Sequence, residues 1–151
     1  MSIINYIKGF IASKNPAFIV IEANGIGYGL YVSLNTYSKL ANQTEGQLYN
    51  ESVYIRDDNP RFYGFADEEE RELFRKLISV SGVGGGSALL MLSSLNASEI
   101  SGAINTANVA LLKSIKGIGD KTAQRIVVDL KGKMGKHEGG ISQILTTTYN
   151  K

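Results

Sequence analysis

The sequence predicts an α+β fold in which a small N-terminal β-barrel precedes an all-helical domain. Three observations predict it. Apolar residues alternate between turn dipeptides over the first 65 residues, the spacing turns helical at Asp67, and a segment beginning at Ser79 recurs at Ser114.

The β part is read in order. Ile3–Ile11 opens as a strand, and Ala17–Ala23 (AFIVIEA) is a short β-branched run. Asn24-Gly25 follows, the pair that best tolerates positive φ in a tight hairpin. In Tyr28–Ser33, Tyr28, Leu30 and Val32 share one face, and Leu34–Asn42 suits a short helical connection. Leu48–Arg56 is another Tyr/Val/Ile-rich strand, Asp57-Asp58-Asn59-Pro60 forms a turn, and Phe62–Phe65 returns. About five short strands with one helical insert fit an OB-type barrel.

In the helical part, Asp67 and Glu70 stand at capping-box spacing, and Leu73, Phe74, Leu77 and Ile78 form an apolar stripe. Asn96 and Glu99 repeat the capping spacing. His137–Lys151, with Gly139-Gly140 and a Thr-rich end, reads as a linker or tail. The expected division is a barrel over 1–66, a helical domain over 67–136 and a tail over 137–151.

Composition bounds the chemistry. Hydrophobic residues are 43% and charged residues 20%, enough apolar side chain for a buried core. No cysteine is present, which excludes disulfides, thiolate catalysis and cysteine zinc sites. The single histidine, His137, makes no metal cluster. Lys8 and Asn5 interrupt the apolar start, unlike a signal peptide, and no run reaches membrane-span length, so a cytoplasmic location is expected. Neither a catalytic residue nor a cofactor is expected. The net charge of +2 says little about partners. Its distribution says more: Lys113, Lys116, Lys121, Arg125, Lys131, Lys133 and Lys136 are opposed in their stretch only by Asp120 and Asp129.

The repeat carries the functional reading. Ser79–Leu95 (SVSGVGGGSALLMLSSL) aligns with Ser114–Leu130 (SIKGIGDKTAQRIVVDL). Identities fall at Ser79/Ser114, Gly82/Gly117, Gly84/Gly119, Ala88/Ala123 and Leu95/Leu130. Each copy reads helix, Gly-(Val/Ile)-Gly, helix. Val83 or Ile118 can plug between the helices, and the glycines leave no side chain between main chain and phosphate. The second helix begins with unpaired N–H groups and its positive dipole end. Ala88 and Ala123 allow close helix approach. This is the helix-hairpin-helix motif in tandem, suited to hold both backbones of a duplex without reading bases. The residues assigned to DNA are Gly82, Gly84, Gly85, Gly117, Gly119, Lys121, Thr122 and Arg125. Lys121 is the leading side-chain phosphate ligand; Arg125, one turn along, faces either phosphate or solvent. Two ordinary helical hairpins would explain one such turn, but two aligned copies beside a lysine seam favour DNA. A P-loop is excluded because Gly82–Ser87 lacks its Lys-Ser/Thr ending, and a dinucleotide fingerprint because the third Gly is absent.

Three longer stretches add a resemblance: NGIGYGLYVS (Asn24–Ser33), YIRDDNPRFYGFADEEERELFRKLISVSGVG (Tyr54–Gly84) and LLKSIKGIGDKTAQRIVVDLKGKM (Leu111–Met134). Their combination of YGF, E-R-x-L-F, G-V-G and G-I-G-x-K-T-A-x-R resembles the RuvA family of Holliday junction branch migration proteins, from Ile3 to about Met134. The resemblance implies a non-catalytic homotetramer that holds a four-way DNA junction open and planar in recombination and repair, with the RuvB motor and the RuvC resolvase as partners. It also implies an acidic pin at a hairpin tip, matched here by Asp57 and Asp58. Gly85-Gly86 stands where the family commonly has Pro-Lys, and Asp120 where it commonly has a second lysine, so weaker charge contact is expected. The family carries a third helical domain, after a linker, that docks the motor; these residues stop at Lys151, before it. Two other classes remain: the DNA-binding part of a helix-hairpin-helix repair enzyme, and an RNA-binding barrel using Tyr6, Phe10, Tyr28 and Tyr31 as a stacking face. The expectation for this chain is junction binding without motor recruitment, checked by adding it to RuvB and measuring ATP hydrolysis; strong stimulation contradicts it.

Overall fold

In the computed structural model, which describes residues 3–56 and 58–134, five strands close a barrel and five helices follow it. Asp57, and the stretch from 135 onward that includes Lys136, His137 and the tail reading, lie outside the described residues.

The barrel runs β1 (Tyr6–Asn15), β2 (Phe18–Ala23), β3 (Ile26–Val32), β4 (Glu45–Arg56) and β5 (Asn59–Phe65), closed in the order β1-β2-β3-β5-β4. Every pairing is antiparallel except β3 with β5, where Tyr31 faces Tyr63 and Val32 faces Gly64. Asn24 (φ 54°) and Gly25 (φ 79°) make the β2–β3 turn as their sequence requires. The alternating inward set, Ile7, Ile11, Ile19, Ile21, Leu30, Val32, Leu40 and Leu48, fills the interior. Helix α1 (Leu34–Leu40) is the insert, capped by Ser33, whose hydroxyl accepts from the Thr36 amide.

Several boundaries shift by a few residues, and two shifts have a clear cause. The first strand begins at Tyr6 and continues through Lys14 and Asn15, polar residues that carry no apolar alternation; the Asn15 side chain then accepts from the amides of Ala17 and Phe18 to build the turn. Asn59 and Pro60 belong to β5 rather than to a turn, opposite Arg56 and Tyr54. Proline is tolerated there because a register shift between Tyr54 and Arg56 interrupts the ladder.

Five helices follow: α2 (Glu68–Ile78), α3 (Gly85–Ser94), α4 (Ala97–Asn105), α5 (Val109–Lys113) and α6 (Asp120–Leu130). Helix α4 touches the other four and holds them together. Its capping box is complete: the Asn96 side chain accepts from the Glu99 amide, and Glu99 accepts from the Asn96 amide. The capping box expected at Asp67 and Glu70 is not formed. Asp67 is the N-cap but makes no side-chain cap bond, and it pairs with Lys39 on α1 instead. Glu70 turns inward and accepts from Ser33 Oγ at 2.7 Å and Thr36 Oγ1 at 2.5 Å. Capping spacing therefore placed both acids on the first turn, but the barrel claimed their oxygens.

The helices have a core of their own, and two barrel residues, Tyr63 and Phe65, join it. Phe74 lies 4.9 Å, ring to ring, from both Tyr63 and Phe65, the Y and F of the YGF stretch. Leu73, Leu77, Met91, Leu92, Ile100 and Ile104 continue that cluster through the helices. Arg71, almost fully buried, donates from Nη1 to the carbonyls of Asn5 (2.8 Å) and Asn50 (3.3 Å), and its guanidinium lies 5.2 Å from the Tyr49 ring. Arg75 pairs with Glu51 of β4 at 2.6 Å.

Burial holds the Glu70 carboxyl above its ordinary value of 4.5, against the pull of the Thr36 and Ser33 hydroxyls. Folding thus disfavours its charged form. Its contribution is complete below the ordinary value and declines as pH rises through its folded-state value. Urea unfolding of wild type and Glu70→Gln from about pH 4 to about pH 7 should show the wild type losing stability relative to the variant as pH rises; a wild-type advantage that grows with pH contradicts this.

Candidate nucleic-acid interface

The two sequence copies adopt one geometry. Gly82 and Gly117 sit at φ 93° and 91°, a region that glycine enters freely and other residues rarely do. The amide of Val83 donates to Val80 O and that of Ile118 to Ile115 O, both at 3.0 Å. Ser79 Oγ donates to Lys76 O and Ser114 Oγ to Leu111 O, both at 2.6 Å. Gly84 and Gly119 are extended N-caps whose carbonyls accept from Ala88 and Ala123, again both at 3.0 Å. Burial matches as well: Val83 and Ile118 are each 6% exposed, while Ala88 and Ala123 are fully enclosed. The plug and the close helix approach read from the repeat are both present.

This geometry leaves donors free. Among the described residues, the amides of Gly82, Gly84, Gly117 and Gly119 have no backbone acceptor, and all four glycines are exposed. Each N-cap glycine begins a helix of ten or eleven residues, α3 or α6, whose first N–H groups and dipole favour an anion.

The hairpins face each other. Ser81 and Gly82 of the first loop share an open groove with Lys121, Thr122 and Arg125 of α6. In the opposite sense, Gly117 of the second loop lies against Leu90 of α3, at 3.4 Å from where a Cβ would stand. Leu90 and Arg125 are equivalent positions of the repeat. Each loop therefore approaches the same place on the other copy's helix, as an approximate twofold requires. Arg125, whose direction the sequence left open, lines the groove beside Lys121.

Gly85 is set differently from the other assigned glycines. Gly85 packs inward: a Cβ there would stand 2.3 Å from Tyr63 Oη, so the close approach it permits is to the barrel. Gly86, by contrast, is exposed with nothing within 4 Å of a Cβ. Asp120 opens α6 and engages two neighbours, Lys113 at 3.5 Å and Gln124 Nε2 at 3.0 Å. The ion pair is half-exposed on both sides, worth about 0–1 kcal/mol. Asp58 is exposed beside the β4–β5 turn. Ser81 and Gln124, absent from the sequence-based assignment, also line the groove. The repeat offset could have flagged Ser81, because it corresponds to Lys116 in the lysine seam.

A closed OB-type barrel joined to paired helix-hairpin-helix turns defines the class: a barrel-fronted tandem helix-hairpin-helix protein. Residues 4–64 match the family described as RuvA N terminal domain, and residues 74–132 match the SAM-like helix-hairpin-helix tandem. A relative from Bacteroides fragilis, named Holliday junction branch migration complex subunit RuvA, is 52% identical over 133 residues, covering 87% of this chain and 65% of the relative. One of the same name from Christiangramia forsetii is 47% identical over 133 residues, covering 88% of this chain and 68% of the relative. The chain belongs to the RuvA family. It spans about 65% of the length of the first of these relatives.

Gly86 is the counterpart of Lys121, so the first copy lacks the cation that the second has. Gly86→Lys should tighten binding to linear duplex and steepen its salt dependence by about 0.9 log units per decade, the signature of one added phosphate contact. Fluorescence anisotropy across a salt series measures the slope; an unchanged slope means that the first hairpin does not face phosphate.

Proposed function

We propose that this chain is a non-catalytic, structure-selective scaffold for four-way DNA junctions. In this reading it works as a homotetramer that supports branch migration by a partner ATPase motor of the RuvB kind, with the RuvC resolvase as a further partner, in cytoplasmic recombination and repair. The observation that carries it is the pair of matched hairpins, each with exposed glycines and unspent amides, the first of them sharing a groove with the basic helix of the second. The names of the relatives support the junction as the target.

The mechanism follows from the parts. Gly82, Gly84, Gly117 and Gly119 present amides to the two sugar-phosphate backbones of one duplex arm, and Lys121, Thr122 and Arg125 add a hydroxyl and two charges beside the second loop. These contacts touch no base edge, so the chain tolerates the changing sequence that branch migration sends past it. A tetramer would hold four arms in this way. It would also bring four copies of the Asp57-Asp58 tip toward the crossover, where carboxylates repel phosphates and keep duplex from closing over the centre.

A gel-shift titration in which a four-way junction competes with linear duplex of equal length tests the reading. The expected result is marked preference for the junction. Equal affinity for the two would reduce the chain to a generic duplex binder.

A further inference from the structure

The outer face of the barrel carries a groove that the hairpins do not use. It lies between the β2–β3 and β4–β5 hairpins. Along β3 the inward residues are Tyr28, Leu30 and Val32, so the outward positions are Gly27, Gly29 and Tyr31. Phe18 fills the place of the missing Gly29 side chain, its ring 2.4 Å from where a Cβ would stand. Gly27 has only a Val20 methyl near it, at 3.3 Å, and its backbone floors the groove. Tyr31 stands at the wall, partly exposed, with Phe18 edge-on at 4.9 Å. Arg61 from β5 sets its guanidinium 4.6 Å from the centre of the Tyr31 ring.

This is a platform for a flat ring with a negative charge attached. An exposed aromatic offers a stacking face to any base, bare glycine backbone allows close approach, and an arginine can stack or pair with phosphate. The wall of the platform is also braced from the interior, against the residue that seats the first hairpin. Tyr31 pairs with Tyr63 across β3 and β5, with ring centres 6.0 Å apart, and Tyr63 is the residue on which Gly85, the first residue of α3, is seated. Two rings therefore join the start of the first phosphate-facing helix to the groove. At the far end the groove is lined by Asn59 and Pro60, beside exposed Asp58, where a second phosphate rail would be repelled.

We propose that this groove holds an unpaired nucleotide of single-stranded DNA, whose phosphate draws Arg61 off the Tyr31 ring and whose base takes the face that the guanidinium covers in the free protein. The proposal deepens the junction reading by giving the bases released at a crossover a place to stack, but it is tested on single strands alone.

The test is a fluorescence titration of the full chain with a single-stranded oligonucleotide carrying one 2-aminopurine, alongside linear duplex and a four-way junction. The expected result is quenching on binding. Tyr31→Leu should weaken single-strand affinity about tenfold and Tyr31→Phe should restore it, because the ring rather than the hydroxyl stacks. Arg61→Gln should weaken it and flatten its salt dependence. All three should leave linear-duplex affinity unchanged, which also shows that the variants are folded. Single-strand affinity that is absent in the wild type, or equal in wild type, Tyr31→Leu and Arg61→Gln, overturns the groove. Loss of junction preference with the single-strand effects intact overturns the junction reading and leaves the groove standing.

Discussion

A backbone amide can hold a phosphate only if the protein has not already used it, and this constraint organises both hairpins. An exposed loop with free amides is ordinarily mobile, which would forfeit the advantage of preorganised donors. Here the loop is anchored from below. Val83 and Ile118 drop into the helical core, their amides close a turn onto Val80 and Ile115, and the glycines on either side stay at the surface. The apolar plug fixes the backbone, so the polar groups above it need no partner of their own.

The hairpins also keep a fixed relation to the barrel. Two buried ionisable groups on α2 sit at that joint. They do not pair with each other. Glu70 takes the hydroxyls of Ser33 and Thr36, and Arg71 takes the carbonyls of Asn5 and Asn50, all of them barrel groups. Arg71 also pairs with Glu68 at 3.5 Å, while Glu70 has only neutral partners; burying either group costs desolvation, and the geometry that offsets it is narrow. An apolar seam of the same size, such as Phe74 on Tyr63 and Phe65, tolerates sliding; a carboxylate that needs two particular hydroxyls does not. The joint is therefore stabilised by the rings and given its register by the polar groups. Gly85 belongs to the same joint, since its missing side chain lets α3 close on Tyr63.

The two copies share geometry but not charge. The second hairpin brings Lys121 and Arg125 into the groove, with Asp129 beside them, and pairs Lys113 with Asp120. The first has Ser81, Gly85 and Gly86 at the corresponding places and leans on the barrel instead. Amide geometry can be conserved through such a change because it is a property of the glycines and the plug. Charge is a property of individual side chains and can be redistributed without disturbing the fold.

Much of this was written locally. Alternation placed the strands to within a few residues, Asn24-Gly25 declared its hairpin, Asn96 and Glu99 declared their cap, and the offset between Ser79 and Ser114 declared two hairpins with their plugs. Each depends on contacts between residues close in the chain, where spacing alone decides geometry. What the sequence could not settle involves partners far along it. Glu70 left its capping box for hydroxyls more than thirty residues away, Gly85 set its bare Cα against Tyr63, and Asn59-Pro60 joined a strand because Arg56 and Tyr54 lay opposite. The direction of Arg125 and the alignment of Gly27, Tyr31 and Arg61 likewise arise only when separate elements meet. By itself the chain determined which backbone segments could form and which amides could be free; only the packing of barrel against helices decided which side chains would stand beside them, because burial and distance belong to the whole molecule rather than to any window of it.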